Sequence, residues 1–279
     1  MTTMYAAGFK SVGGHDEEHK EDESKSKSAK PALKTRAKAV EPPASQPVPA
    51  SNPFLSSSED EHPPAESLHD VENDPGLDRL TRTIKVLKLG DLSKRVDSLV
   101  FLNEVVSSKY EEFKDQLKTK ADMLVDSITY VIDDVFSKSL EELPVRFAKY
   151  FLTIVHKLCS LKGIMLHVSE DKLYLFGEQL LTRLLIDGLD KVGEKGEGET
   201  MIRNLNGTML RLLENCAPTN IFCVLILLLR KYKGYTELPK LPGLIIKCLL
   251  KLTKILENIA HELNIERVTF PSHHILRFS

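Results

Sequence analysis

The side chains able to do chemistry are spread thinly along this 279-residue chain. His156, His167 and His261 are scattered. Cys159, Cys216, Cys223 and Cys248 show no C-x-x-C spacing and no neighbouring histidine pair. A zinc site announces itself by closely spaced ligand pairs, and a disulfide framework needs an oxidising compartment. The four cysteines fall instead on apolar helical faces, which reads as reduced core residues of a cytosolic chain. No G-x-S-x-G, H-E-x-x-H or Walker-type glycine loop occurs. Asp133 and Asp134 stand beside Ile132 and Val135 and read as a solvated helix face rather than an acid/base pair. "GEKGEGE" at 193–199 has the glycines of a phosphate loop but the wrong charge, so a long inter-repeat loop is expected there. "NGT" at 206–208 fits the glycosylation acceptor pattern, yet it falls mid-helix in a chain with no apolar signal segment after Met1. The sequence therefore predicts a protein that is not an enzyme and takes no metal and no cofactor.

The net charge of −2 conceals a division. Residues 1–75 carry 8 basic and 14 acidic side chains, against 30 basic and 26 acidic in the remainder, and hold 9 of the 14 prolines. With almost no bulky apolar residues they cannot bury enough surface to offset ordering, so this segment is expected to be disordered. Within it "SKSKSAKPALKTRAK" places Lys25, Lys27, Lys30, Lys34, Arg36 and Lys38 together without an acid. Such a run suits a polyanion, nucleic acid or the acidic surface of a microtubule, if it is more than a solvated linker. "SSSEDE" at 56–61 resembles an acid-directed phosphorylation site, and "NPF" at 52–54 a ligand of endocytic adaptors. No run approaches the roughly 20 apolar residues that span a bilayer, so no membrane partner is expected.

From Leu77 onward the periodicity is helical. Leu241, Leu244, Ile245, Cys248, Leu249, Leu252, Ile255 and Ile259 recur at three- and four-residue steps, with Lys247, Lys251 and Lys254 on the opposite side. The same test predicts helices near 77–89, 92–108, 110–137, 143–161, 170–191, 199–216, 219–233, 241–261 and 263–268, and no alternating strand pattern. Gly90-Asp91, Pro144, Ser169, Gly193 and Pro218-Thr219 punctuate their ends. Paired in order, the segments form hairpins recurring about every 40 to 55 residues, the period of HEAT or armadillo units. The fold class is all-α, a HEAT/armadillo-like stack of helical hairpins, with a linker at 1–75, the repeat domain at 76–268 and a divergent tail at 269–279. "IFCVLILLLRKY" at 221–232, apolar nearly all round, is then a helix sandwiched in the fourth repeat, closed by Arg230, Lys231 and Lys233 at its negative end.

"MIRNLNGTMLRLLENCAPTNIFCVLILLLRKY" followed by "IIKCLLKLTKILENIAHELNIERV" resembles the C-terminal helical repeat region of the TOG-domain microtubule polymerases. This is the family of mini spindles and of the colonic and hepatic tumour over-expressed protein. The resemblance covers residues 77–268 and is most specific in 201–268. It implies a TOG-like α-solenoid and a non-enzymatic microtubule-associated scaffold acting in microtubule growth and spindle assembly. Its implied places are the cytoplasm and cytoskeleton, the centrosome or spindle pole, and the kinetochore. The implied partners are tubulin and transforming acidic coiled-coil proteins, with no nucleic acid. A HEAT/armadillo adaptor of a transport or trafficking pathway is the alternative.

Two departures qualify what carries over. Tubulin-binding TOG domains present a Trp in the first inter-helix turn, within W-K-x-R-x-E-A-L; "LSKRVDSL" puts Leu92 at that position and keeps Arg95 and Leu99. The chain contains no Trp. Without that aromatic anchor, contact with tubulin is expected to be weak and electrostatic, carried by the basic run and by Lys247, Lys251 and Lys254. The second departure is "TFPSHHILRFS" at the end, where Pro271 stops the helix and a fragment or alternative terminus is expected.

Overall fold

Local capping explains where the helices begin. Asp78 accepts bonds from the Thr81 hydroxyl at 2.6 Å and the Thr81 amide at 3.0 Å, starting α2 (Arg79–Leu89), and these bonds hold its carboxyl at about 2. Asp91 repeats the device for α3 (Leu92–Ser107), and Pro218 occupies the first turn of α10 (Pro218–Tyr232), where its missing N–H costs nothing. A computed structural model describes residues 67–256 together with 264, 266 and 267. The remaining helices are α1 (Leu68–Asn73), α4 (Tyr110–Thr119), α5 (Ala121–Phe136), α6 (Val145–Cys159), α7 (Lys162–Met165), α8 (Glu170–Arg183), α9 (Glu197–Asn215) and α11 (Leu241–Leu256), with a 3-10 turn at Leu189–Lys191. Among the described residues there is no strand.

Two rows of helices result. In one, α2 packs on α5, α5 on α8 and α8 on α10; in the other, α3 packs on α6, α6 on α9 and α9 on α11. Hairpin contacts α2–α3, α8–α9 and α10–α11 join the rows. Neighbours within a row run parallel, because contacts advance together along both helices: Lys149 meets Glu197, Thr153 meets Asn204, and the Cys159 carbonyl meets Asn215. This is the expected all-α solenoid, and its core follows the expected apolar faces. Ile221, Cys223, Val224, Leu225, Leu227 and Leu228 are buried, and no residue of 221–229 is exposed. Each fully buried Leu there contributes roughly 1.5–3 kcal/mol by leaving water. All four cysteines are free and buried, and burial pushes the thiols of Cys216 and Cys248 up to about 12.

Helix boundaries differ from the periodic reading in four places. Among the described residues helical structure begins at Leu68, ahead of the expected boundary at 76: Ser67 caps α1, Val71 is buried, and Glu72 pairs with Lys94 at 2.7 Å. The helix expected over 110–137 breaks at Lys120, which leaves helical geometry at φ −105°, ψ 15° and pairs with Asp78 at 3.2 Å. The helix expected over 170–191 stops at Arg183, and the left-handed Gly188 leads into the 3-10 turn. The expected glycine loop at 193–199 is shorter, because α9 begins at Glu197. There Gly198 is required: a Cβ would stand 2.2 Å from the Leu189 carbonyl oxygen. The disorder expected before residue 67, the end of the helix expected over 241–261 and the tail at 269–279 lie outside the described residues.

Candidate functional site

The turns inside successive hairpins gather on one edge of the stack. Gly90 and Asp91 make the first, and Gly90 lies so close to the previous turn that a Cβ would meet the Val86 oxygen at 2.6 Å. The Asp91 cap fixes the start of α3 and leaves Leu92 49% exposed at its first position. Pro144 and Val145 end the second turn, with Phe147 anchored beneath by stacking on Phe151 at 5.9 Å. Gly193 and Gly196, both at positive φ, shape the third. Leu92, Pro144, Val145, Arg146, Phe147, Gly193, Glu194 and Glu197 together line an open groove of about 480 Å³.

The groove carries balanced charge. Arg146 bonds Glu194 at 2.9 Å and Lys149 bonds Glu197 at 2.5 Å. The Lys149 bond, followed by one from the Glu194 amide, holds the Glu197 carboxyl below its ordinary range. Neither cation is left over to attract an acidic partner. Arg95 does not reach this groove. It is 9% exposed, turned inward, and bonds the Asp134 carboxylate and the Lys88 carbonyl, the latter at 3.2 Å. The structure therefore brings Leu92 to the edge and separates Arg95 from it.

Asp133 and Asp134 lie on the solvated face expected of them, Asp133 exposed and Asp134 half-buried, and both also form ion pairs there. Asp133 accepts from Arg183 at 2.8 Å and Gln179 at 3.2 Å, while Asp134 holds Arg95, so the pair links α5 to both α8 and α3. Asp126 does the same within the first row, between Lys88 of α2 at 2.7 Å and Lys172 of α8 at 2.5 Å. Burial works to raise the Asp126 carboxyl, but Lys172 and then Lys88 outweigh it and hold it below the usual range. Further along, Glu178 accepts from Lys231 at 2.8 Å and the Tyr232 hydroxyl at 2.5 Å. These bonds span 38 to 54 residues, one repeat each. Sequence reading missed them. The signal was present as opposite charges one repeat apart, but it is visible only once the repeat register is known.

Of the expected lysine stripe on α11, Lys247 and Lys254 are exposed and Lys251 is partly buried. The helix carries no acidic residue. Lys25, Lys27, Lys30, Lys34, Arg36 and Lys38 lie outside the described residues. Among the described residues no cluster of His, Cys, Asp and Glu could hold a metal, and no helix is long and apolar enough to cross a membrane.

Comparison with known proteins bears on what such a stack does. Protein MOR1 of Oryza sativa subsp. japonica is 29% identical over 210 residues, covering 70% of this chain and 10% of its own length. Protein MOR1 of Arabidopsis thaliana is 32% identical over 167 residues, 55% of this chain and 8% of its own. Protein mini spindles of Drosophila melanogaster is 32% identical over 96 residues, 34% of this chain and 5% of its own. The chain is a homologue of the MOR1 and mini spindles proteins. The resemblance read from residues 77–268, to the microtubule polymerases that include mini spindles, thus has its counterpart among these relatives. The chain spans about a tenth or less of their length. No family model and no solved structure matches it.

Proposed function

We propose that this chain is a non-enzymatic scaffold module of a TOG-domain microtubule polymerase, serving microtubule growth and spindle assembly. The observation that supports it is the match to MOR1 and mini spindles along a two-row helical solenoid. In this reading residues 76–268 are the repeat module, extended at its start by α1, with the preceding residues a linker and 269–279 a tail. Its places of action are the cytoplasmic cytoskeleton, the centrosome or spindle pole, and the kinetochore. Its partners are microtubules and acidic proteins such as transforming acidic coiled-coil proteins.

Contact with microtubules is weak and electrostatic. The groove edge presents Leu92 where an aromatic anchor would have to stand, and its cations are already paired, so it lacks what a tight contact with an acidic surface requires. Lys247, Lys254 and the basic run at 25–38, with Lys251 beside them, supply the attraction instead. Capture experiments with mitotic extract test the reading. Tubulin and spindle-pole proteins should be retained by the full chain, and retention of importins or endocytic adaptors in their place would contradict it.

A further inference from the structure

The fourth turn on the hairpin edge, residues 233–240 between α10 and α11, differs in charge from the turn beside it. The third turn carries Asp187, Asp190, Glu194 and Glu197 against Lys191 and Lys195 and is net acidic. The fourth is framed by Arg230, Lys231, Lys233 and Lys240 against Glu237 alone. Lys231 is committed to Glu178 at 2.8 Å. Arg230, Lys233 and Lys240 are exposed and make no ion pair among the described residues.

Helix electrostatics accounts for two of these three cations and not for the last. Arg230 and Lys233 stand at the negative end of α10, where a cation stabilises the helix. Lys240 stands at the positive end of α11: its carbonyl accepts a helical bond from the Leu244 amide at 3.1 Å, and no acid follows in the first turn. A cation there works against the helix, so folding does not explain it. Beside these cations Tyr235 is 46% exposed, its ring perpendicular to that of Tyr232 with centroids 5.5 Å apart. Tyr232 is itself anchored, its hydroxyl donating to Glu178 at 2.5 Å. Gly234, at φ 84°, supplies a left-handed bend that a side chain would strain, and Pro239 stiffens the exit. The turn thus holds unpaired cations and one exposed aromatic face in a fixed arrangement, which lowers the cost of binding.

We propose that this turn docks an extended acidic peptide segment of a partner protein. Carboxylates of the segment lie along Arg230, Lys233 and Lys240, and an aliphatic or aromatic side chain among them covers Tyr235. A broad acidic surface such as that of a microtubule fits poorly, because it would meet the acidic third turn at the same time. A neutral apolar segment leaves the three cations without partners. That the partner is cytoskeletal rests on the function proposed above, whereas the acidity of the segment rests on the turn alone.

The test uses the full chain and two fluorescent peptides of about ten residues: one alternates Glu and Pro around a central Leu and so stays extended, and the other has Ser in place of that Leu. The Leu peptide should bind more tightly, and Lys233→Gln with Lys240→Gln should weaken both peptides about tenfold. Tyr235→Ala should erase the advantage of the Leu peptide, and Tyr235→Phe should keep it. Thermal melts and microtubule co-sedimentation should stay at the parent values in all of these variants. Equal binding of the two peptides to the parent chain, or binding indifferent to the glutamine variant, overturns the site. If Lys240→Gln lowers the melt and peptide binding does not change, the cation belongs to folding and the proposal falls. Loss of co-sedimentation in the glutamine variant gives the turn to the microtubule and overturns the peptide reading. Capture of importins or endocytic adaptors from extract by the parent chain contradicts the proposed function, while a Tyr235-dependent peptide contact stands.

Discussion

Leu92 and Leu227 show how differently one residue type is used in this chain. Leu227 is fully buried in the core, so Leu227→Asp places an unpaired charge there and should destabilise by roughly 4 kcal/mol or more in a urea titration. A change within about 0.5 kcal/mol would mean that α10 is not the interior helix its packing describes. Leu92 is half exposed at the groove edge, and Leu92→Ala should alter stability by less than about 1 kcal/mol. Asp78→Ala removes the α2 cap and should cost about 1 kcal/mol at neutral pH.

Among elements, the links between repeats carry their own signature. Asp126 ties α2, α5 and α8 together through Lys88 and Lys172. Its folded-state carboxyl titrates below its unfolded value of about 3.9, so its contribution is complete above that value and is lost as pH falls through the lower, folded one. Asp126→Asn should therefore cost about 1 kcal/mol at pH 7, and the difference from the parent chain should shrink below pH about 4. A deficit that persisted unchanged into acid would show that charge is not what the clamp supplies. α1 makes a second case. A chain beginning at residue 77 loses Val71 and the Glu72–Lys94 pair, and should melt several degrees below one beginning at 67.

These elements also mark the limits of reading the sequence. The rows, the buried character of 221–229 and the positions of the hairpin turns were legible, because a 3.6-residue apolar period and Gly, Asp and Pro punctuation are local signals. The break at Lys120, the early stop at Arg183 and helix α1 were not, since short amphipathic stretches keep the same period whether or not the backbone bends between them. The inward turn of Arg95 was equally invisible. Its partner Asp134 lies one repeat away, and nothing adjacent to Arg95 distinguishes a surface cation from a clamped one. Leu92 was legible as a site position only through family resemblance, whereas the exposure of Tyr235 required the packed structure.

For the whole molecule, the proposed contact with microtubules runs through loose charge and not through the groove edge. Charges on exposed side chains act over about 8 Å at physiological ionic strength, so such binding is salt-sensitive and tolerant of pose. The most direct measurement is co-sedimentation of the full chain with assembled microtubules across a salt series, repeated with neutralised lysines and with Leu92→Ala. Binding should fall steeply as salt rises, drop most when Lys25, Lys27, Lys30, Lys34, Arg36 and Lys38 are neutralised, drop further with Lys247→Gln and Lys254→Gln, and ignore Leu92→Ala. Binding that survives high salt and depends on Leu92 would contradict the account and place the contact at the groove.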